Sequence, residues 1–133
     1  VRRDALWDEE CCDAVQFGGV EVFAEGTWSG GLLWDASVVA SELLLSSPVW
    51  RERVRGATVL ELGCGLALPG LVCHLLGAKA VRLTDRPAVA SLVRDGLALN
   101  GLDPQRVSAS TLEWDAGGAE ALLEELGGAP GVV

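Results

Sequence analysis

The sequence is poor in several residue types and patterns, and each absence excludes a class of protein. It has no tyrosine, no methionine and a single lysine, Lys79. No apolar run approaches the roughly 18 residues of a membrane-spanning helix. With 19 acidic and 10 basic residues, the net charge of −9 disfavours a nucleic-acid surface. We therefore expect one water-soluble domain with neither membrane nor nucleic acid as a partner.

The cysteines indicate a reducing compartment. They form no C-x-x-C pair, and their spacing matches no zinc or disulfide framework; they are Cys11, Cys12, Cys64 and Cys73. We therefore expect no metal site. In the absence of a signal peptide, this favours the cytoplasm, with the nucleus as an alternative. The single histidine, His74, falls in a predicted helix, where a packing or surface role is the ordinary one.

Glycine and proline divide the 133 residues into a leader, one domain and a tail. Residues 1–13 are charged and predicted to be loose. The domain spans residues 14–126 and begins with two short apolar runs around Gly18-Gly19, which predict a β-hairpin. Residues 127–133 are predicted to be an unstructured tail. An amphipathic helix, which Pro48 stops, is predicted from the stripe of Ala36, Val39, Ala40 and Leu43.

Strands then alternate with helices. Runs rich in strand-forming residues at 57–62, 79–85 and 107–112 are each followed by a helical pattern, the last at 117–126. Such alternation implies right-handed crossovers and a parallel sheet. The predicted fold class is therefore α/β: a partial parallel sheet with strand order 3-2-1 and flanking helices, preceded by the hairpin and a helix.

The turn Gly63-Cys64-Gly65, after the first of these strands, is a candidate ligand site. Glycines let a ligand approach the backbone, and the start of the next helix offers free N–H groups. Glu61 places a carboxylate where a buried strand prefers an apolar residue, and a cofactor with a cationic ammonium and sulfonium gives it a use. Asp85 ends the second strand, where nucleoside-binding folds place the acid that accepts hydrogen bonds from ribose hydroxyls.

Two competing interpretations remain for this turn. It is either a tight connection with no ligand or the site of an NAD-type dinucleotide. The dinucleotide fingerprint G-x-G-x-x-G needs a glycine where Leu68 stands. It also tolerates poorly an acid such as Glu61 close to a pyrophosphate. The pattern therefore favours a sulfonium cofactor, and NAD is kept as an alternative.

Four segments resemble, in order and spacing, the class I (seven-strand) S-adenosylmethionine-dependent methyltransferases, in particular the methyltransferase-like group that modifies lysine in proteins. They are GGLLWDASVV at 30–39, VLELGCGLALPGL at 59–71, GAKAVRLTD at 77–85 and LEWD at 112–115. The resemblance implies a Rossmann-like fold and methyl transfer from S-adenosylmethionine to a protein side chain, with lysine as the expected acceptor and a protein as the partner.

The resemblance also implies a set of cofactor-binding residues. The glycine turn and the acid before it would surround the methionine moiety, and the acid at the end of the second strand would hold the ribose hydroxyls. One tryptophan would lie beside the adenine, and another would close over the amino-acid end. These residues are Trp34, Glu61, Gly63, Cys64, Gly65, Asp85 and Trp114.

The sequence departs from the family pattern at several points. Ala67 stands where the motif often has a third glycine, and Asp115 where a glycine commonly follows the tryptophan. The family's fourth strand carries a catalytic Asp-x-x-Tyr, which does not occur here, so strands 4–7 are expected to be lacking and no catalytic residue is assigned. Whether the chain is an active enzyme or an inactive cofactor- or protein-binding module is left open. A first strand left as an edge predicts dimerisation or aggregation.

Overall fold

A computed structural model describes residues 30–133 in full; before Gly30 it describes only the backbone of two short strands. These strands, β1 (Gln16–Phe17) and β2 (Val20–Glu21), pair antiparallel, with Phe17 opposite Val20. The predicted hairpin is therefore confirmed. The leader predicted at 1–13 lies outside the described residues.

Three parallel strands form the central sheet. They are β3 (Thr58–Leu62), β4 (Ala80–Asp85) and β5 (Val107–Thr111), in the order β3-β4-β5. The register sets Glu61 opposite Leu83 and Asp85 opposite Thr111. The predicted strands, their parallel direction and their order are confirmed. Their carboxyl ends therefore meet at one edge of the sheet, which is where open α/β sheets bind ligands.

Helices cover both faces of this sheet. One face shares a core with α3 and α4, which includes Leu83 and Val89, and the other packs on α5 through Leu122. Gly101 and Gly127, with φ of +64° and +68°, follow the ends of α4 and α5, as expected at helix C-termini. The helices are α1 (Asp35–Ser46), α2 (Pro48–Val54), α3 (Leu68–Leu75), α4 (Pro87–Leu99) and α5 (Ala116–Leu126).

The sequence pattern predicts every described helix except α2. Pro48 ends α1 as predicted, but it also begins a second helix, because its fixed φ suits the first helical position. Ser47 caps this helix: its Oγ accepts the N–H of Trp50 at 3.4 Å. The charged residues 51–55 therefore lie on this helix and just after it.

Three of the four residues in the apolar stripe predicted for α1 are exposed among the described residues, and the fourth, Ala40, is half-buried. Val39 and Leu43 are 59 % and 50 % exposed, whereas Ser41 is only 5 % exposed. α1 packs against α3, and the hydroxyl of Ser41 donates to the carbonyl of Ser37 at 2.7 Å. A small side chain whose hydroxyl bonds within its own helix is buried at little cost. Among residues 30–133, the pattern therefore locates the helix correctly, but the buried position is Ser41 rather than the predicted stripe.

The last residues of the chain pair with the outer edge of β3. Gly131 donates its N–H to Thr58 at 2.9 Å, and Leu60 donates to Val132 at 2.9 Å, which makes a parallel bridge between Val59 and Val132. The expectation of an unstructured tail is wrong for these residues. Among the described residues, the outer edge of β3 is therefore left unpaired at its carboxyl end. The backbone surface available for the expected dimerisation is correspondingly smaller.

None of the described helices combines the length and the hydropathy needed to cross a membrane. Within the same residues, no group of three or more His, Cys, Asp and Glu is placed to hold a metal ion.

Candidate functional site

The turn between β3 and α3 has a backbone conformation that suits glycine. Gly63 and Gly65 have φ of +62° and +50°, in the left-handed region that residues with a Cβ rarely adopt. Ala67, the N-cap of α3, has φ of +59° and is the single non-glycine residue with a positive φ in the described part of the chain. The position where the family often has a third glycine therefore carries backbone strain of about 1 kcal/mol.

Asp85, at the end of β4, ties the turn to the sheet through one carboxylate oxygen and accepts a backbone hydrogen bond with the other. Oδ2 accepts the N–H of Gly65 at 2.9 Å, and Oδ1 accepts that of Arg86 at 2.7 Å. An ionised carboxylate has about four acceptor sites, so both oxygens keep capacity for a further donor. Asp85 thus shapes the turn and remains able to accept hydrogen bonds from hydroxyl groups of a ligand.

Glu61 caps the helix that follows the turn. Its Oε2 accepts the N–H of Gly70 at 2.8 Å, in the first turn of α3. The N-cap residue Ala67 makes no side-chain cap, and Pro69 has no N–H to offer. The carboxylate also lies at the positive end of the helix dipole. Helix capping therefore accounts for an acid at the end of this strand, beside any role toward a ligand.

Burial raises the pKa of Glu61 to about 7; the N–H of Gly70 opposes this rise and the negative charge of Asp85 adds to it. Near neutral pH the carboxyl group therefore lies between its protonated and ionised forms. A positive charge beside it would lower the pKa and favour the carboxylate, whereas an anion would raise it further. The electrostatics of this position favour a cationic ligand.

Most N–H groups of the turn bond within the protein. Cys64 donates to the carbonyl of Thr84 at 2.9 Å and Ala67 to that of Cys64 at 2.7 Å, while Gly65 and Gly70 donate to the two carboxylates. The prediction that the helix start offers free N–H groups is therefore wrong for Ala67 and Gly70. A pyrophosphate needs such donors, so the dinucleotide interpretation is disfavoured.

The packing beneath the turn is tight. A Cβ on Gly70 would collide with the side chain of Leu83 and with the Glu61 carboxylate. Thr84 is fully buried and donates its Oγ1 hydrogen to the backbone carbonyl of Glu61 at 2.8 Å. These contacts hold the end of β3 against β4. The sequence pattern does not single out Thr84, although it directly precedes a predicted site residue.

A cavity of about 350 Å³ opens beside the turn. The ring of Trp114 borders it, with its Cζ2 atom 3.6 Å from the Cβ position of Gly63, and this side chain is 77 % exposed. The ring therefore has an open face on which a planar ligand can stack. Three predicted site residues share the cavity, and the other three lie within two positions of them in sequence. The lining is Gly63, Asp85, Arg86, Leu112, Glu113 and Trp114.

The remaining predicted residues do not line this cavity. Cys64 is 3 % exposed, and burial raises the pKa of its thiol to about 12, so it is a small packing residue rather than a nucleophile. Trp34 precedes α1 and is 47 % exposed. The segment that leads to it crosses the turn, because the carbonyl oxygen of Gly30 lies 3.3 Å from the Cβ position of Gly65.

The second departure from the family pattern has a structural cause. Asp115 is the N-cap of α5, and its Oδ1 accepts the N–H of Gly118 at 2.7 Å. It is not among the residues that line the cavity. The substitution of aspartate for glycine after Trp114 therefore stabilises a helix and leaves the cavity itself unobstructed.

The sequence matches the family model described as lysine methyltransferase over residues 23–126. It is 47 % identical over 58 residues to the protein N-terminal and lysine N-methyltransferase EFM7 of Yarrowia lipolytica, which covers 44 % of this chain and 20 % of that protein. It is also 36 % identical over 87 residues to the protein N-lysine methyltransferase METTL21A of Xenopus tropicalis, which covers 62 % of this chain and 38 % of that protein. The chain thus spans well under half the length of these relatives.

Among solved structures, the chain is similar to the Trypanosoma brucei PRMT1 enzyme-prozyme heterotetrameric complex with AdoHcy, with a TM-score of 0.47 and 28 % identity over 67 % of this chain and 26 % of that one. A TM-score this low carries no weight for fold or function. The family model, by contrast, covers more than three quarters of the chain, in which the strands and the glycine turn lie where the motifs predict them. The chain belongs to the lysine methyltransferase family.

Proposed function

We propose that this chain is the cofactor-binding part of an S-adenosylmethionine-dependent methyltransferase that modifies a lysine of a protein substrate. The observation that carries the proposal is the pair of carboxylates at the strand ends. Glu61 lies beneath the glycine turn and Asp85 beside it, and each is held by a backbone N–H of the segment 63–70. Membership of the family supplies the reaction class, and the names of the relatives supply the acceptor.

The cavity suits a nucleoside. Its volume of about 350 Å³ lies within the roughly 300–1,000 Å³ typical of ligand pockets. Asp85 has acceptor capacity for the ribose hydroxyls, and the open face of Trp114 is placed for the adenine ring. Gly63, which has no side chain, leaves room for the ligand between them.

The methionine end of the cofactor carries positive charge, and the other site residues suit that end. The carboxyl of Glu61 has a pKa of about 7, so a cation beside it would complete its ionisation. Cys64 and Gly65 are small residues and would leave room for the ligand along the turn. Trp34, on the segment that crosses the turn at Gly30, would close over the amino-acid end.

When bound, the cofactor would supply a methyl group already activated by its sulfonium. The chain's own residues have a simpler task, which is to hold this group in a fixed orientation and to keep water from it. The hydrogen bonds of Asp85 and Glu61 to the turn fix the geometry before any ligand arrives. We assign no general base within residues 30–133.

Calorimetry with S-adenosylhomocysteine and with NAD tests the binding part of the proposal. We expect binding of the first and not of the second. Asp85→Asn is expected to weaken binding about tenfold to a hundredfold, because a charge-assisted acceptor is lost. Asp95→Asn, at an exposed acid on α4, is the matched control and should leave the affinity unchanged. Heat with NAD and none with S-adenosylhomocysteine would overturn the proposal.

The acceptor is tested by transfer of a labelled methyl group from S-adenosylmethionine to proteins of an extract, followed by acid hydrolysis. Label in ε-N-methyllysine supports the proposal. Label on an N-terminal residue would instead assign the second activity named for the EFM7 relatives. Binding without any transfer would favour an inactive cofactor-binding module.

We also propose a reducing compartment, the cytoplasm or the nucleus, for this chain. Support comes from Cys64 and Cys73, which are both free and buried thiols. Imaging of a fluorescent fusion would test the proposal, and a secreted or membrane-enclosed oxidising location would contradict it.

A further inference from the structure

The outer side of α1 is apolar and uncovered among the described residues. Ala36, Val39 and Leu43, here called the α1 stripe, are spaced three and four residues apart and therefore lie on one side of the helix. All three are exposed, and Val49 at the start of α2, 61 % exposed, extends the apolar surface. Single exposed apolar side chains are ordinary, but a contiguous group of them indicates a binding surface.

The hairpin at the start of the chain needs an apolar surface. A two-stranded hairpin in water is marginally stable by itself. The backbone register sets Phe17 opposite Val20 and Gln16 opposite Glu21, and the alternation of apolar and polar residues continues one position further on each strand. Since successive positions of a strand fall on opposite faces, the sequence pattern predicts one apolar and one polar face for the hairpin.

Chain connectivity brings the two surfaces within reach of each other. β2 ends at Glu21 and α1 begins at Asp35, so residues 22–34 join them. A connection of that length spans up to roughly 40 Å, whereas a helix of the length of α1 is roughly 18 Å long. The end of the connection is also fixed, because Gly30 lies against Val89 with no room for a side chain.

The charges favour the same arrangement. Residues 1–25 contain seven acidic side chains and two arginines, whereas residues 51–55 contain three arginines and one glutamate. Within residues 51–55, Arg55 forms an exposed ion pair with Glu52 at 3.8 Å. α2 follows α1 with one residue between them, so these arginines lie in the segment that follows the C-terminal end of α1. An acidic segment would be attracted to that end of it.

We propose that the β1–β2 hairpin packs its apolar face on the α1 stripe of the same chain, with the acidic residues around it facing the arginines of residues 51–55. The packing is an intramolecular interface and does not depend on the proposed methyltransferase activity. This packing would also anchor the N-terminal end of the segment that contains Gly30, whose carbonyl oxygen lies against the glycine turn. The hairpin would thus act as a brace for one wall of the cofactor site.

Amide hydrogen exchange on the full chain tests this interface. In the parent chain the amides of residues 16–21 are expected to exchange slowly. The double substitution Val39→Asp with Leu43→Asp should speed their exchange about tenfold or more, because the hairpin loses its apolar support. Leu75→Asp with Leu99→Asp is the matched control: these leucines are 79 % and 88 % exposed on other helices, so the hairpin should be unaffected.

A second variant keeps every apolar side chain in place. Arg51→Glu with Arg53→Glu should speed exchange of the same amides by about threefold, since exposed charge pairs contribute little. The proposal is overturned if hairpin exchange is unchanged in both double variants. It is also overturned if protection is lost on dilution, because the stripe would then bind a second copy of the chain.

Discussion

The two sides of the cavity proposed to hold the cofactor are built in different ways. On the turn side, the N–H groups of Gly65 and Gly70 donate to Asp85 and Glu61 at 2.9 and 2.8 Å, above a buried core. On the other side, Trp114 is 77 % exposed. Folding therefore preorganises the turn side, whereas the tryptophan side keeps freedom to adjust to a ligand. Substitutions in the turn should change stability and binding together, and substitution of Trp114 should change binding alone.

The largest effect is expected at Gly70. Gly70→Ala forces a methyl group against the side chain of Leu83 and the carboxylate of Glu61. Overpacking of this kind destabilises a protein by about 1–3 kcal/mol, and we expect the upper end because Leu83 is fully buried. Urea unfolding measures the change.

Gly96→Ala is the control for this substitution. Gly96 lies in α4, and a Cβ there would meet nothing within 4 Å. This substitution should stabilise the chain by about 1 kcal/mol, because alanine has a higher helix propensity than glycine. If Gly70→Ala unfolded at the urea midpoint of the parent chain, the turn side would not be the rigid side of the cavity.

Trp114→Ala should have the next largest effect, on binding. Stacking of a base on an aromatic side chain is worth about 1–3 kcal/mol, so the affinity for S-adenosylhomocysteine is expected to fall about tenfold or more. The urea midpoint should stay the same because the ring is largely exposed. Trp50→Ala, in α2 and away from the cavity, should leave the affinity intact. A lower midpoint without lower affinity would give Trp114 a structural role instead.

The pH dependence of binding should sharpen the comparison further. With a pKa of about 7 for Glu61, the ionised fraction rises about tenfold between pH 6 and pH 8. If the cationic cofactor prefers the carboxylate, its affinity should rise by a similar factor over that range. In Glu61→Gln this rise should be absent, whereas Glu120→Gln, at an exposed acid on α5, should keep it. An equal pH dependence in Glu61→Gln would contradict the assignment.

The same group should affect stability in the opposite direction. The pKa of Glu61 is raised from 4.5 to about 7 on folding, so the free folded chain holds this proton more tightly than the unfolded chain does. The contribution of Glu61 to the free energy of unfolding is therefore most favourable below about pH 4.5, and it is lost as the pH rises through 7. Without cofactor, Glu61→Gln should be more stable than the parent chain at pH 8, and urea unfolding at pH 5 and pH 8 measures this.

The smallest effect is expected at Asp115. Asp115→Ala removes the N-cap hydrogen bond to Gly118 and should destabilise the chain by about 1 kcal/mol. Affinity for S-adenosylhomocysteine should not change. Two neighbouring residues, Trp114 and Asp115, would then give opposite results in the same pair of assays. A loss of affinity in Asp115→Ala would extend the binding surface onto α5.

The sheet and the turn are predictable because their signals are local. The strand ending at Glu61 and the glycines at 63 and 65 stand together in the sequence, and a parallel order follows from alternation with helices. The buried side of α1 is not predictable in this way, because Ser41 is buried by the helix it meets and not by its own hydropathy. α2 escapes prediction since Pro48 both ends one helix and begins the next.

The structure brings some of the predicted site residues together and not others. Gly63, Asp85 and Trp114 line one cavity, whereas Trp34, Glu61, Cys64 and Gly65 do not, and their roles toward a cofactor stay predictions. The Glu61 carboxylate accepts the N–H of Gly70, nine residues later in the sequence. This contact depends on how α3 packs against β3, which the local sequence does not indicate. Consequently the prediction of free donors at the helix start is wrong for Gly70, whose N–H group is already bonded.

The bridge between Val59 and Val132 has a consequence for the order of folding. The two residues are separated by more than half of the chain, although they are direct neighbours in space. Contacts between residues so distant in sequence form slowly, because a long loop must close before they are made. During synthesis, β3 emerges early and must wait for residues 131–132 before its outer edge is covered. In that interval the N–H and C=O groups of this edge are open to pairing with other chains, so β3 is a segment at which misassembly can begin.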